Sequence, residues 1–318
     1  MIDTPTCTLC KRRNAVYMRA YSGERLCAKC FTKSIENKVK STIAKHGMFK
    51  PDDNIAVAVS GGKDSATLLY ILAKIEKKFP EASVCAVTVD EGIRGYRDEA
   101  LKFAAENCRR LGVKHVVTSF KELFDIQLDE LVKLLRERNR SQTNALSPCA
   151  YCGVLRRRAL NLAARRMKAD KLALAHNLDD EVQTILLNIM HGDAPRLARV
   201  KPVLEESHPL FVPRVKPLVE VPEKEIAFCA YLKEIEFQSV PCPYATTAMR
   251  NDVRFMVNRL EERHAGTKFT IFKSIERIRP ALEVAEKDIT LHGCKLCGEP
   301  TVREICKPCE MLQKLGVY

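Results

Sequence analysis

No stretch of this 318-residue chain approaches the ~20 consecutive apolar residues that a membrane-crossing helix needs. The opening MIDTPTCTLCKRR has no apolar h-region, so no secretory signal is read there. These absences lead to the expectation of a cytoplasmic protein with no membrane partner. Low-complexity tracts are missing, and so are internal repeats apart from two similar cysteine clusters near the ends. Two common nucleotide loops are missing too, because neither G-x4-G-K-[ST] nor G-x-G-x-x-G occurs. Acidic residues are outnumbered: 40 Asp+Glu face 53 Lys+Arg, a net charge of +13. That balance favours an anionic partner, nucleic acid or nucleotide.

What is present is cysteine, fourteen in all. A reducing compartment argues against a disulfide framework. Cys7, Cys10, Cys27 and Cys30 form one set of C-x-x-C pairs, and Cys294, Cys297, Cys306 and Cys309 form another. Each set offers four thiolates, the ligand complement of a closed tetrahedral Zn2+ site. The expectation is two zinc-ribbon modules, too small to fold without their metal. Cys149 and Cys152 form a fifth pair with no second C-x-x-C nearby. Cys85, Cys108 and Cys229 lie in apolar or helical patterns and read as buried hydrophobes. Cys242 sits between two prolines in VPCPYA, a loop position better suited to a ligand. If it approaches Cys149 and Cys152, three thiolates leave one position open on a metal or on one iron of a cluster. Spacing alone does not establish that approach.

Between the clusters the pattern is α/β. IAVAV (55–59), VCAVTV (84–89), KHVVTS (114–119) and KLALA (171–175) read as strands. Helices are predicted at about 65–78, over DEALKFAAENCRRLG with Gly112 as its stop, and over DDEVQTILLNIMHG with its acidic start. KELFDIQLDELVKLLRERNR is predicted as one long amphipathic helix, SQTNALSP as a loop, and another helix after Cys152. Residues 201–224, with five prolines, read as an irregular connection out of the sheet. Alternating strands and helices predict a doubly wound parallel sheet, which binds ligands at the carboxyl ends of its strands. SGGKDS, VDEG (89–92) and AHNLDDE (175–181) sit at those ends.

The stretch AVSGGKDSAT (58–67) joins a strand to a helix through a glycine turn, an arrangement that points backbone N–H groups at an anion. It resembles the SGGxDS signature of the PP-loop ATP pyrophosphatases, with their adenine nucleotide alpha hydrolase-like fold. The resemblance implies that Gly61 and Gly62 let the backbone wrap a pyrophosphate, that Ser60 and Ser65 donate hydroxyls, that Lys63 stabilises charge and that Asp64 helps hold Mg2+. Members split ATP between the α and β phosphates and place AMP on a carbonyl-type oxygen.

SGGKDS, PCAYCGVLRRRALN, AHNLDDEVQTILLNIMHGD and the two end clusters occur in one order. That combination is similar to the tRNA 2-thiolation branch that contains TtuA and the archaeal and eukaryotic cytoplasmic thiouridylases, TtcA being a more distant relative. The match covers nearly the whole chain. It implies an ATP-dependent tRNA sulfurtransferase that adenylates C2 of a uridine and transfers sulfur from a [4Fe-4S] cluster on Cys149, Cys152 and Cys242. The implied ATP site is Ala58, Val59, Ser60, Gly61, Gly62, Lys63, Asp64, Ser65, Val89, Ala175 and Asp180. Catalytic roles fall to Asp180, Lys63, Cys149, Cys152 and Arg156. TtuA has a lysine where Arg156 stands, which keeps the charge but not a titratable amine. TtuA-like proteins can carry histidine at Cys30, and zinc tolerates either.

The implied cofactors are the cluster, two Zn2+, ATP and Mg2+. The implied partners are tRNA, a ubiquitin-like sulfur carrier or free sulfide, and a second copy of the chain. The expected division is an N-terminal zinc finger (1–32), a PP-loop catalytic domain (33–220), a helical tRNA-binding extension with the third cluster cysteine (221–290) and a C-terminal zinc finger (291–318). Arg156, Arg157, Arg158, Arg165 and Arg166, with Arg250, Arg254, Arg259, Arg263, Lys268, Lys273, Arg277 and Arg279, are the expected tRNA-facing charges. Three alternatives stay open: a persulfide on Cys149 or Cys152 in place of the cluster, a lysidine-type ligase, and a zinc-ribbon RNA-binding protein with an inactive nucleotide site.

Overall fold

The computed structural model describes residues 5–138, 147–205, 208–244, 249–285 and 290–317. A ribbon of β1 (Tyr17–Met18) and β2 (Arg25–Leu26) runs into helix α1 (Ala28–Lys45). Then follow β3 (Asn54–Ala58), α2 (Lys63–Glu76), β4 (Ser83–Asp90), α3 (Arg97–Leu111) and β5 (Lys114–Ser119). Helices α4 (Phe120–Phe124), α5 (Leu128–Arg138) and α6 (Pro148–Arg166) lead to β6 (Lys171–Ala173), α7 (Leu178–Met190) and α8 (Ala194–Ala198). Strands β7 (Val203–Leu204) and β8 (Arg214–Val215) precede α9 (Glu223–Leu232), α10 (Met249–Arg263) and α11 (Thr267–Ala285). A second ribbon, β9 (His292–Gly293) and β10 (Pro300–Thr301), and α12 (Lys307–Gln313) come last.

The main sheet runs β5-β4-β3-β6-β8-β7 and is parallel except at β7, which pairs antiparallel with β8. The doubly wound expectation therefore holds. Strand β3 is apolar on both faces, with Ala56 and Val57 fully buried, because helices cover the sheet on either side. The chain builds outward from β3 to β5, then returns to place β6 on the other side of β3. The loops after β3 and β6 thus flank the point where strand order reverses, which is where such sheets open a crevice. Among the described residues, no helix is long and apolar enough to cross a membrane.

Three local expectations are corrected. The long helix expected over 121–140 is two helices, α4 and α5, parted at Asp125, whose φ is +55°. The apolar spacing runs through the break because Phe120, Phe124, Leu128 and Leu131 all press into one core. Residues 139 and 140 and the SQTNAL part of the expected loop lie outside the described residues. Helix α6 starts before Cys149 rather than after Cys152: Ser147 caps it, accepting from the Ala150 N–H, and Pro148 takes the first helical position. Residues 201–224 do not merely leave the sheet, since β7 and β8 extend it beyond β6.

The N-terminal ribbon is fused to the main core, which contains Cys7, Leu26, Cys27 and Phe31 beside Val57 and Leu68. Its anchor is Arg19, which donates from Nε and Nη2 to the two carboxylate oxygens of Glu225 at 3.0 Å each. Both side chains are almost fully buried, so removing one strands a charge. Glu225→Ala is expected to lower the unfolding free energy by about 3–5 kcal/mol, read by urea titration at constant zinc. An unchanged midpoint would show that the pair contributes nothing.

Candidate active site

The glycine turn is held by its own side chains. The Ser60 N–H donates to Ser65 Oγ (3.1 Å), Ser65 Oγ donates to the Gly62 carbonyl (2.9 Å), and the two hydroxyls lie 3.1 Å apart. Gly61 takes φ +88°, a region that L side chains rarely adopt. Gly62 then serves as the N-cap residue of α2. Ala58 ends β3, Val59 is buried with its N–H on the Val87 carbonyl, and the first turn of α2 carries Lys63, Asp64 and Ser65. The loop after β6 brings Ala175 and the start of α7 alongside. There the Asn177 amide donates to Asp64 Oδ1 (3.2 Å), while Asn177 and Asp180 cap the helix reciprocally.

Lys63 Nζ donates to Asp64 Oδ2 (2.9 Å) and to Glu223 Oε1 (2.7 Å). Burial raises the Asp64 and Asp180 carboxyls above the usual carboxylate range, and neighbouring carboxylates add to it. Burial also works against ionised Glu223, but its bond to Lys63 prevails and holds it below the usual range. Asp64 and Glu223 share Lys63 and Asp180 lies close enough to repel both, so a divalent cation would relieve this group, and Asp64 and Asp180 fit a role as Mg2+ ligands. Glu223 was not foreseen. It lies in α9, distant in sequence, and only the packing of that helix against α2 reveals it.

The thiols lie on and around α6, which packs against β4. Cys149 and Cys152 occupy the first turns of α6, and Cys242 packs with Tyr244 against the core that holds Cys152. Cys149 Sγ lies 3.2 Å from the Tyr244 carbonyl, and the Tyr244 hydroxyl donates to Asp129 Oδ1 (2.6 Å), which fastens the Cys242 loop to α5 and α6. The same segment is pinned to the glycine turn: the Gln238 N–H donates to the Gly61 carbonyl (2.9 Å) and its side-chain amide to the Tyr96 carbonyl (2.6 Å). Burial pushes the Cys152 thiol up to about 11, against the pull of Arg156. The Arg156 Nη2 lies 3.1 Å from that sulfur. Cys149, Cys152 and Cys242 come from two segments, and thiols of this kind are ligands of iron–sulfur clusters.

The two end groups, Cys7, Cys10, Cys27, Cys30 and Cys294, Cys297, Cys306, Cys309, each hold all sulfurs within 4.8 Å of one another. The contacts Cys10–Cys27 (3.9 Å) and Cys297–Cys306 (3.6 Å) bracket the edge of about 3.8 Å that a tetrahedron with Zn–S near 2.3 Å requires. Burial raises the Cys7 thiol, but the N–H groups of Cys10, Cys27 and Leu9 outweigh it and bring it down to about 6. The donor sets fit zinc.

Four of the five α6 arginines have carboxylate partners, while Arg156, Arg157 and Arg166 are exposed. Arg158 and Arg165 pair with Glu299 of the C-terminal ribbon, Arg166 with Glu122, and Arg156 with Glu91. Lys268 is buried and pairs with Asp179, which removes it from the expected tRNA face. Arg250 and Arg254 reach toward Asp180 (3.8 Å) and Glu223 (3.5 Å) at the nucleotide crevice. Arg259, Arg263, Lys273 and Arg277 are exposed.

The PP-loop domain family matches residues 31–261. A "Probable sulfurtransferase" of Methanocaldococcus jannaschii is 36% identical over 96% of this chain and 88% of its own length. The "Cytoplasmic tRNA 2-thiolation protein 1" of Chlamydomonas reinhardtii is 35% identical over 98% of this chain and 85% of its own. The solved structure of the U34-tRNA thiolase NcsA from Methanococcus maripaludis, with its [4Fe-4S] cluster, superposes with a TM-score of 0.84 at 34% identity. That superposition covers 99% of this chain and 97% of the other.

Proposed function

Because this chain belongs to the PP-loop family of tRNA 2-thiolation proteins, we propose that it is a cytoplasmic, ATP-dependent tRNA sulfurtransferase that converts a tRNA uridine, at position 34, to 2-thiouridine. The observation that supports this reading is the Cys242 segment, which is hydrogen-bonded to Gly61 through Gln238 and packs against the core that holds Cys152. A nucleotide-activating loop without nearby thiols would suit a lysidine-type ligase equally well.

The roles follow from position. Gly61, Gly62 and the N-terminus of α2 face the pyrophosphate of ATP, with Ser60 and Ser65 shaping the turn. Lys63 leaves its carboxylate partners for the phosphates, and Asp64 and Asp180 hold Mg2+. The uridine O2 attacks the α-phosphate and pyrophosphate leaves. A sulfur nucleophile then attacks C2 and AMP leaves with the oxygen. Cys149, Cys152 and Cys242 would hold the [4Fe-4S] cluster, which would supply iron to carry the sulfur nucleophile. Arg156 sets positive charge beside these thiols. The two four-cysteine sets hold structural Zn2+. The division into ribbon (1–32), catalytic domain (33–220), helical extension (221–290) and ribbon (291–318) remains our reading, as do homodimer assembly and a sulfur-carrier protein or free sulfide as donor.

The deciding experiment supplies anaerobically purified protein with ATP, sulfide and unmodified tRNA, and measures 2-thiouridine by nucleoside mass spectrometry before and after iron is stripped. Thiolation is expected only with iron present. Persistence without iron would take the cluster out of the reaction and leave sulfide itself as the nucleophile on the activated C2.

A further inference from the structure

Between the glycine turn and the thiols runs a chain of charged contacts with no role so far. Arg97, the first residue of α3 and 5% exposed, donates from Nη1 to the Ser60 carbonyl (2.9 Å) and from Nη2 to the Val89 carbonyl (2.7 Å). Its Nε lies 2.7 Å from Glu91 Oε2. Glu91, 3% exposed, turns its other oxygen to Arg156 Nε at 2.6 Å. Arg156 in turn reaches Cys152 Sγ. One carboxylate therefore bridges two guanidiniums, one touching the nucleotide turn and one touching a thiol. Burying such ions costs several kcal/mol each, and well-packed apolar residues are often at least as stable. Fold stability is thus a poor reason for this chain of charges.

We propose that Arg97 and Glu91 are positioning residues that couple the glycine turn to the thiol pocket, setting the Arg156 guanidinium on Cys152 when nucleotide grips the turn. Nucleotide that fixes Ser60 fixes the carbonyl on which Arg97 rests. Helix α3 is registered to the same turn, because Gly61 lies against the Ala100 backbone. Glu91 is rigidly placed in turn: its carbonyl accepts from the Leu128 N–H, and Gly92 abuts Gln127 with φ +72°. The coupling is reciprocal, as any linkage between two sites must be. This inference rests on the proposed nucleotide site and not on the cluster.

The test uses the full chain with zinc bound and iron absent. Cys152 modification by methyl methanethiosulfonate is followed by peptide mass mapping, with and without a saturating non-hydrolysable ATP analogue whose binding is measured on the same sample. The analogue is expected to speed Cys152 about fivefold or more in the wild type, because a guanidinium held on the sulfur favours the reactive thiolate, and to leave the buried Cys108 unchanged. In Glu91→Gln, at saturating analogue, the acceleration is expected to vanish. Arg156→Gln cuts the last link at a half-exposed side chain and is expected to do the same, which covers a failure of Glu91→Gln to fold. Acceleration that survives in both variants overturns the relay. Equal acceleration of Cys108, or bound analogue that slows Cys152 of the wild type or leaves it unchanged, also overturns it. No analogue binding to the wild type overturns the nucleotide site and the relay with it.

Discussion

Gly61→Ala is expected to cut nucleotide binding sharply and, with it, thiolation. A Cβ built at Gly61 falls 2.3 Å from the Ala100 carbonyl oxygen and 2.8 Å from its carbonyl carbon and Cα. These are backbone atoms inside α3, and Ala100 is fully buried, so the neighbour cannot yield as a flexible side chain would. The φ of +88° adds a left-handed penalty of about 1–2 kcal/mol for any residue with a Cβ. The cheapest escape is to rotate the turn, which carries its N–H groups away from the anion and breaks the Gln238 N–H bond to the Gly61 carbonyl. ATP affinity is expected to fall by more than about 100-fold, that is, by more than about 2.7 kcal/mol, read by calorimetry. Gly62→Ala supplies the contrast. Its Cβ meets only Ser60 Oγ at 3.5 Å and its φ is −85°, so its melting temperature should stay within a few degrees of the wild type. Wild-type ATP affinity in Gly61→Ala would mean that nucleotide does not use this turn.

The turn was legible in the sequence because its causes are local: an apolar strand, two glycines and a helix pattern in immediate succession. The four-cysteine sets were legible for the same reason. Strands β7 and β8 were not, because each has two residues and lies among prolines. Only their pairing with β6 and with each other defines them. The break at Asp125 was masked because both helices aim at one core, so the helical period continues across it. Glu91 lay in a segment already marked as a strand end, yet nothing local distinguishes it from a solvated acid. Its function comes from Arg97 and Arg156 converging on it from α3 and α6. The carboxylate partners of the α6 arginines were illegible for the same reason: Glu122, Glu91 and Glu299 are distant in the chain.

Cys242→Ser and Asp180→Asn should fail in opposite ways, and the opposition separates the two halves of the reaction. Cys242 is partly exposed on a loop held by Gln238 and Tyr244 rather than by its own sulfur. Its loss should leave the fold, the two zincs and ATP binding in place. Iron and acid-labile sulfide should drop to background, because a serine hydroxyl is a poor substitute for a thiolate on iron. Thiolation should fall by more than the roughly 10–100-fold that changes beyond the ligands themselves typically cost. Asp180 sits in the first turn of α7. Its carboxylate accepts the Asn177 N–H and lies beside Arg250 and the Asp64–Glu223 group. Asp180→Asn keeps a similar shape but removes a charge from the cation site, so iron content should be retained while pyrophosphate release with tRNA is lost. Iron retained in Cys242→Ser would remove Cys242 from the cluster's ligands. Pyrophosphate release retained in Asp180→Asn would confine Mg2+ to Asp64 and the phosphates.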